Sequence, residues 1–159
     1  MIRQATPSDL SRILDIYAYA RRFMAEHGNP TQWGSSRPTQ ADITAHIDRN
    51  ELFVLEEGGH IHGVFAFILG DDPTYRVIED GCWLSAAPYG TIHAVASDGS
   101  IHGLLVQIVA YCQQTIHHLR IDTHPDNLIM QHVILKNGFT KCGVIHVADG
   151  SPRFAYERM

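Results

Sequence analysis

Cysteine is scarce. The 159-residue chain holds three, Cys82, Cys112 and Cys142, an odd number and widely separated. Such spacing argues against a disulfide framework or a zinc knuckle, which need paired or close cysteines. Three buried thiols in a reducing compartment are expected instead. A basic stripe is also missing: Lys and Arg number 12 against 17 Asp and Glu, a formal charge of −5. That balance argues against a nucleic-acid partner and mildly favours a cationic one. No apolar run approaches membrane-spanning length, and the opening MIRQATPSDL has no apolar signal core. A cytoplasmic protein with no membrane partner is therefore expected. Repeats, linkers and low-complexity tracts are absent, which leaves a single domain over residues 1–159 as the expected organisation. Hydrophobic residues at 45% supply a core, and charged residues at 18% are too few for a disordered chain.

The patterning alternates between helix and strand. Met1–Ala5 reads as a strand, and Thr6-Pro7-Ser8-Asp9 starts a helix with a capping threonine, an early proline and a capping-box acid. Leu10, Ile13, Leu14 and Tyr17 follow at helical spacing. Thr39 and Asp42 repeat the capping pattern ahead of Ile43 and Ile47. Leu52–Glu57 and Ile61–Leu69 read as strands joined at Gly58-Gly59. Val77–Leu84 and Thr91–Ser97 are further strand candidates. From Ile101 the period turns helical through Leu104, Leu105, Ile108, Val109 and Cys112. Leu119–His124 is a short strand. Pro125-Asp126 opens a last helix with Met130, Val133 and Ile134 facing inward, and Gly138 suits a left-handed cap with Phe139 folded back. Thr140–Val147 and Arg153–Arg158 form a closing hairpin around Asp149-Gly150. The order predicts an α/β (α+β) fold, a mixed and mostly antiparallel central sheet with flanking helices.

The segment with most chemical content is strand–loop–helix: Thr91–Ser97, then Asp98-Gly99-Ser100-Ile101-His102-Gly103, then the amphipathic helix. The first turn of a helix has unpaired N–H groups and partial positive charge, and a glycine-bearing loop can bring those groups against a phosphate. An ordinary loop entering a helix fits the same residues. Strand Leu119–His124 places Arg120, Asp122 and His124 on one face, where dry and unpaired polar groups would be costly. This implies a wet cleft or a structural Arg120–Asp122 pair. His93 is a candidate base or a hydrogen-bonded core histidine. Trp33 and Tyr89 are possible aromatic walls for an acceptor, and Glu79 with Asp80 could meet a cationic amine; plain packing and solvation are the alternatives. Among eleven histidines, His60 and His62 share a strand face, but spacing places no third ligand, so no metal is expected.

The order of elements, the opening IRQATPSDL, the run IHAVASDGSIHG and the run RIDTHPDNLIMQHVILKNGF together resemble the GNAT (GCN5-related) N-acetyltransferase superfamily over the whole chain. The resemblance implies acetyl transfer from acetyl-CoA to a primary amine, on a small molecule or a protein, by direct attack, in a monomer or homodimer. It places pantetheine beside Ala94, Val95 and Ala96, and the pyrophosphate on Gly99, Ser100, Ile101, His102 and Gly103. It also matches Asn127 to a residue at the start of the last helix. His93, Asp122 and His124 are then the candidate catalytic side chains. Two features depart from the family pattern. The loop lacks the usual Arg/Gln-x-x-Gly-x-Gly/Ala and is short, and Ile134 stands seven residues after Asn127 where a proton-donating tyrosine is usual. A degenerate domain that binds acyl-CoA or another ligand without catalysis is the alternative these departures imply.

Overall fold

The computed structural model describes residues 1–159. Seven strands and four α-helices follow one another as β1 (Ile2–Gln4), α1 (Leu10–Glu26), α2 (Gln40–Asp48), β2 (Leu52–Glu57), β3 (His60–Leu69), β4 (Gly90–Ser97), α3 (Leu104–Cys112), β5 (Leu119–Thr123), α4 (Leu128–Lys136), β6 (Thr140–His146) and β7 (Pro152–Arg158). The strand order is β1-β2-β3-β4-β5-β7-β6. Pairing is antiparallel at β1–β2, β2–β3, β5–β7 and β6–β7. It is parallel at β4–β5, from Gly90 opposite Leu119 to Ile92 opposite Ile121. This is the mixed, mostly antiparallel α/β sheet the patterning predicts. The chain forms two compact units, Met1–Phe67 with His93–Leu104, and Ile68–Ile92 with Leu105–Met159.

In the first unit, register explains the core. Leu52 pairs with Ala66 and Val54 with Val64, so the same strand face carries all four. They are buried with Ile13, Ile16 and Tyr17 of α1 and Ile43 and Ile47 of α2. The helix starts are capped as expected at α2, where the Thr39 N–H donates to Asp42 (3.0 Å) and the Asp42 N–H to Thr39 Oγ1 (3.1 Å). At Pro7–Asp9 the chain first makes a 3-10 turn, and α1 begins only at Leu10.

In the second unit, Tyr75, Tyr89, Ile145 and Ala155 form a buried cluster. Gly138 takes a left-handed φ of 85° after α4, and Phe139 folds back beneath it, buried, as expected. Other expectations fail for local reasons. Val77–Leu84 is not a strand: Asp80 (φ 56°) and Gly81 (φ 155°) break the pleat, leaving only a bridge from Glu79 to Val144. Helix α3 starts at Leu104 and not Ile101, because Gly103 sits at φ 66°, outside helical space. Met130 and Val133 are only half-buried; Ile134 alone is fully buried on α4. Cys112 and Cys142 are buried, but Cys82 is exposed, since the segment that carries it is irregular.

Candidate functional site

The first unit contributes the C-terminal half of β4 and the loop after it. Ala94 lies inside β4 at φ 52°. A left-handed alanine costs roughly 1–2 kcal/mol relative to the extended form, so its surroundings must hold it. The hydroxyl of Tyr17 does so, donating to the Ala94 carbonyl at 2.8 Å. Burial raises the Tyr17 pKa far above the ordinary range, so this donor stays protonated at any working pH. Ala94 and Ala96 pack on the core under α1. Their small side chains therefore accommodate the helix, and what β4 can present to a ligand there is backbone. The left-handed residue re-aims that backbone, as the first residue of a bulge does.

The loop is organised by Asp98. Its Oδ2 accepts from Arg12 Nη2 (2.7 Å) and His62 Nδ1 (2.8 Å), and its Oδ1 from the Ser100 N–H (2.9 Å) and the Ser100 hydroxyl. Its own N–H donates to the His62 carbonyl (3.0 Å). Burial works against the charged form, but the hydrogen bonds from Ser100 and His62 outweigh it and hold the carboxyl at about 2. Gly99 (φ 82°) and Gly103 (φ 66°) are left-handed. A Cβ on Gly99 would come within 2.5 Å of the Tyr19 hydroxyl, whereas one on Gly103 would meet nothing within 4 Å. The backbone at Gly103 is thus open to a close approach, and the residues suit a phosphate there. Ser100, Gly99, His102 and Gly103 are exposed, Val95 and Ile101 half-buried.

The second unit holds β5 and its partners. Antiparallel register sets Arg120 directly opposite Glu157. Arg120 Nε donates to Glu157 Oε1 (3.1 Å), and His118 Nε2 bonds the same oxygen. The other oxygen, Oε2, accepts from the Leu84 N–H (2.6 Å). The Arg120 guanidinium lies between the rings of Trp83 (3.9 Å) and Tyr89 (4.0 Å) and donates to the Ser85 carbonyl (2.7 Å). This cluster is buried and anchors the segment before β4. The expected Arg120–Asp122 pair is therefore not formed. Asp122 instead accepts from the Tyr75 hydroxyl at 2.6 Å. His124 Nδ1 accepts from the Asp126 N–H at 3.0 Å. Burial, with the charge of Arg153, lowers the His124 pKa against the opposing pull of Asp126. The ring is then neutral near pH 7, with its proton on Nε2.

His93 is half-buried on β4. Asn127 caps α4, its side chain accepting from the Met130 N–H at 3.0 Å. Trp33 packs edge-on to Tyr17, with centroids 5.6 Å apart. Glu79 is exposed, with its backbone tied to Val144. Tyr89 is not an open wall: it is buried against Arg120 and its hydroxyl accepts from the Asp72 N–H. Sequence reasoning missed Tyr17, Arg12 and His62 as partners of β4 and its loop. Tyr17 carried only the signal of a core-facing helical position. Tyr75 and Glu157 were also missed, since their partners depend on register.

No family model matches the sequence, and no curated protein matches it. Solved structures do. An acetyltransferase of the GNAT family from Streptococcus agalactiae matches with a TM-score of 0.87 and 29% identity, over 100% of this chain and 94% of that one. The yncA protein from Salmonella typhimurium, solved with its cofactor acetyl-CoA, matches with a TM-score of 0.60 and 16% identity, over 99% and 91%. AAC(6')-Ib in complex with ribostamycin and coenzyme A matches with a TM-score of 0.62 and 19% identity, over 100% and 92%. The fold is that of the GNAT acyltransferases from end to end, and the chain is a member of the GNAT superfamily.

Proposed function

We propose that the chain, acting as one domain over residues 1–159, is a cytoplasmic N-acyltransferase that moves an acetyl group from acetyl-CoA to a primary amine by direct attack. The observation that carries this reading is the left-handed Ala94 inside β4, pinned by Tyr17 immediately before a glycine-bearing loop. Bound acetyl-CoA would supply an activated acyl thioester. The β4 backbone after Ala94 offers N–H groups to the pantetheine arm and to a developing oxyanion. The loop through Gly103 offers backbone to the pyrophosphate. Trp33 and Glu79 are the proposed acceptor contacts; Tyr89, buried against Arg120, is not one of them. Asn127 acts by fixing the start of α4.

The attacking amine must be neutral, so a proton has to be accepted. His93 and Asp122 are the two acceptors, and Tyr75 fixes the Asp122 carboxylate. His124, neutral with its Nδ1 accepting from the Asp126 N–H, can offer the departing thiolate an Nε2–H hydrogen bond, while the proton itself comes from water; Ile134, fully buried and apolar, offers neither. The acceptor is a small-molecule or protein amine, and the protein works as a monomer or homodimer.

That buried Ile134 also favours a second reading, a domain that binds acyl-CoA as a sensor without turnover. Incubating the pure protein with acetyl-CoA and a panel of amines, with thiol release as the readout, tests both. Turnover on one acceptor supports the enzyme; CoA binding with no turnover on any amine supports the sensor. pH–rate profiles of His93→Gln and Asp122→Asn then identify the titrating base, which is the residue whose loss removes the acidic limb.

A further inference from the structure

The loop from Ser97 to Gly103 contains no lysine or arginine, yet two basic side chains from distant parts of the first unit converge on it. Arg12 comes from α1, separated by 86 positions from Asp98, and His62 from β3, separated by 36. Each reaches the loop with only part of its hydrogen-bonding capacity committed: two of the five Arg12 N–H donors and one of the two His62 ring nitrogens. Arg12 uses Nε on the Ile61 carbonyl (3.0 Å) and Nη2 on Asp98; its Nη1 makes no hydrogen bond within the molecule. His62 shares its Nδ1–H between Asp98 Oδ2 and Ser100 Oγ (2.8 Å each), and Nε2 is unused. The Arg12 side chain is 42% exposed and that of His62 24%, so both side chains meet solvent. Asp98 carries one negative charge against Arg12 and, when His62 is protonated, against two. His60 lies alongside, its ring 6.4 Å from that of His62. In a chain of net charge −5, Arg12 offsets Asp98 at this loop, and the two imidazoles add hydrogen-bonding groups without adding negative charge.

We propose that Arg12 and His62 are phosphate-binding residues, replacing from outside the loop the cation that the loop itself lacks. The inference rests on the acyl-CoA reading. Asp98 is the positioning residue: by taking one donor from each, it holds both side chains at the glycine-bearing loop and leaves Arg12 Nη1 and His62 Nε2 without another partner. The ligand chemistry is a diphosphate or phosphomonoester, both of which CoA carries.

The test is calorimetric titration of the full chain, and of its Arg12→Gln and His62→Gln variants, with CoA, dephospho-CoA and pantetheine, with melting temperatures measured alongside. Each variant is expected to lose about tenfold in CoA affinity, the scale of one charge-assisted hydrogen bond, and nothing for pantetheine, while Arg12→Lys retains part of it. Equal losses for CoA and dephospho-CoA assign the contact to the diphosphate; a loss for CoA alone assigns it to the monophosphate. Unchanged CoA affinity in a folded variant, or a parallel loss of pantetheine, overturns the proposal while leaving the acyl-CoA reading standing. No CoA binding by the parent protein overturns both. Inorganic pyrophosphate added to the parent is a check that needs no variant: it should shift the His62 ring signals in NMR, and unmoved signals at saturating pyrophosphate contradict the assignment.

Discussion

The Tyr17 hydroxyl donates to the carbonyl of Ala94 at 2.8 Å, across 77 positions of sequence, and the carbonyl it meets belongs to a left-handed alanine in the middle of a strand. A helix side chain thus sets the backbone geometry of β4. Tyr17 is 1% exposed, so water does not replace it if it is lost. Tyr17→Phe should therefore cost about 1–3 kcal/mol, the penalty of a buried acceptor left unpaired. Thermal denaturation reads this, and acetyl-CoA affinity should fall with it.

A substitution at Ala94 itself probes the same feature from the backbone. Ala94→Val places a β-branched side chain at φ 52°, where such residues are outliers. We expect loss of stability of at least about 1 kcal/mol. Ala94→Gly removes the left-handed penalty and should leave stability unchanged or slightly raised. Equal destabilisation by both would show that packing, and not φ, governs the position.

Asp98 predicts a pH dependence. Its folded pKa, about 2, lies below that of a free carboxyl. A group depressed in this way stabilises the fold above its unfolded value, and that contribution fades as pH falls through the folded one. The stability difference between the parent and Asp98→Asn should thus be full above about pH 4 and vanish toward pH 2. Urea denaturation of both proteins across this interval measures it; a difference that grows on acidification would contradict the assignment.

Glu157 is 1% exposed and faces His118, Arg120 and the Leu84 N–H. Glu157→Gln leaves Arg120 buried without its counter-charge, which should cost about 3–5 kcal/mol. The drop in melting temperature should be of the order of 10 °C for a chain of this size. Replacing both partners, Arg120→Met with Glu157→Leu, should recover part of the loss.

The elements with strong local signals were legible in the sequence: the capped start of α2, the face of α1, the Gly58-Gly59 turn, the left-handed Gly138 and the closing hairpin all stand where patterning puts them. What was not legible is what register and crossing chains decide. Arg120 and Asp122 are two apart on one strand and look like a pair, but the antiparallel neighbour of Arg120 is Glu157, and cross-strand partners lie closer. Val77–Leu84 reads as a strand, but a Cβ on Gly81 would fall 1.9 Å from the Cys142 carbonyl, so the segment passes against β6 backbone in a conformation only glycine takes easily. In the loop, Gly99 and Gly103 are left-handed, as their positions in the sequence allow, while the basic residues that reach it come from α1 and β3, where no spacing rule points.

The central claim is that β4 and its loop bind acyl-CoA through backbone. Calorimetric titration of the parent and Gly103→Val with acetyl-CoA tests it most directly. Gly103 is left-handed with open space around it, so valine there adds strain and bulk where the ligand should approach. Saturable binding by the parent is expected, weakened at least about tenfold in a variant that remains folded; saturable binding that Gly103→Val leaves unaltered, or no binding by the parent, would contradict a backbone site for acyl-CoA.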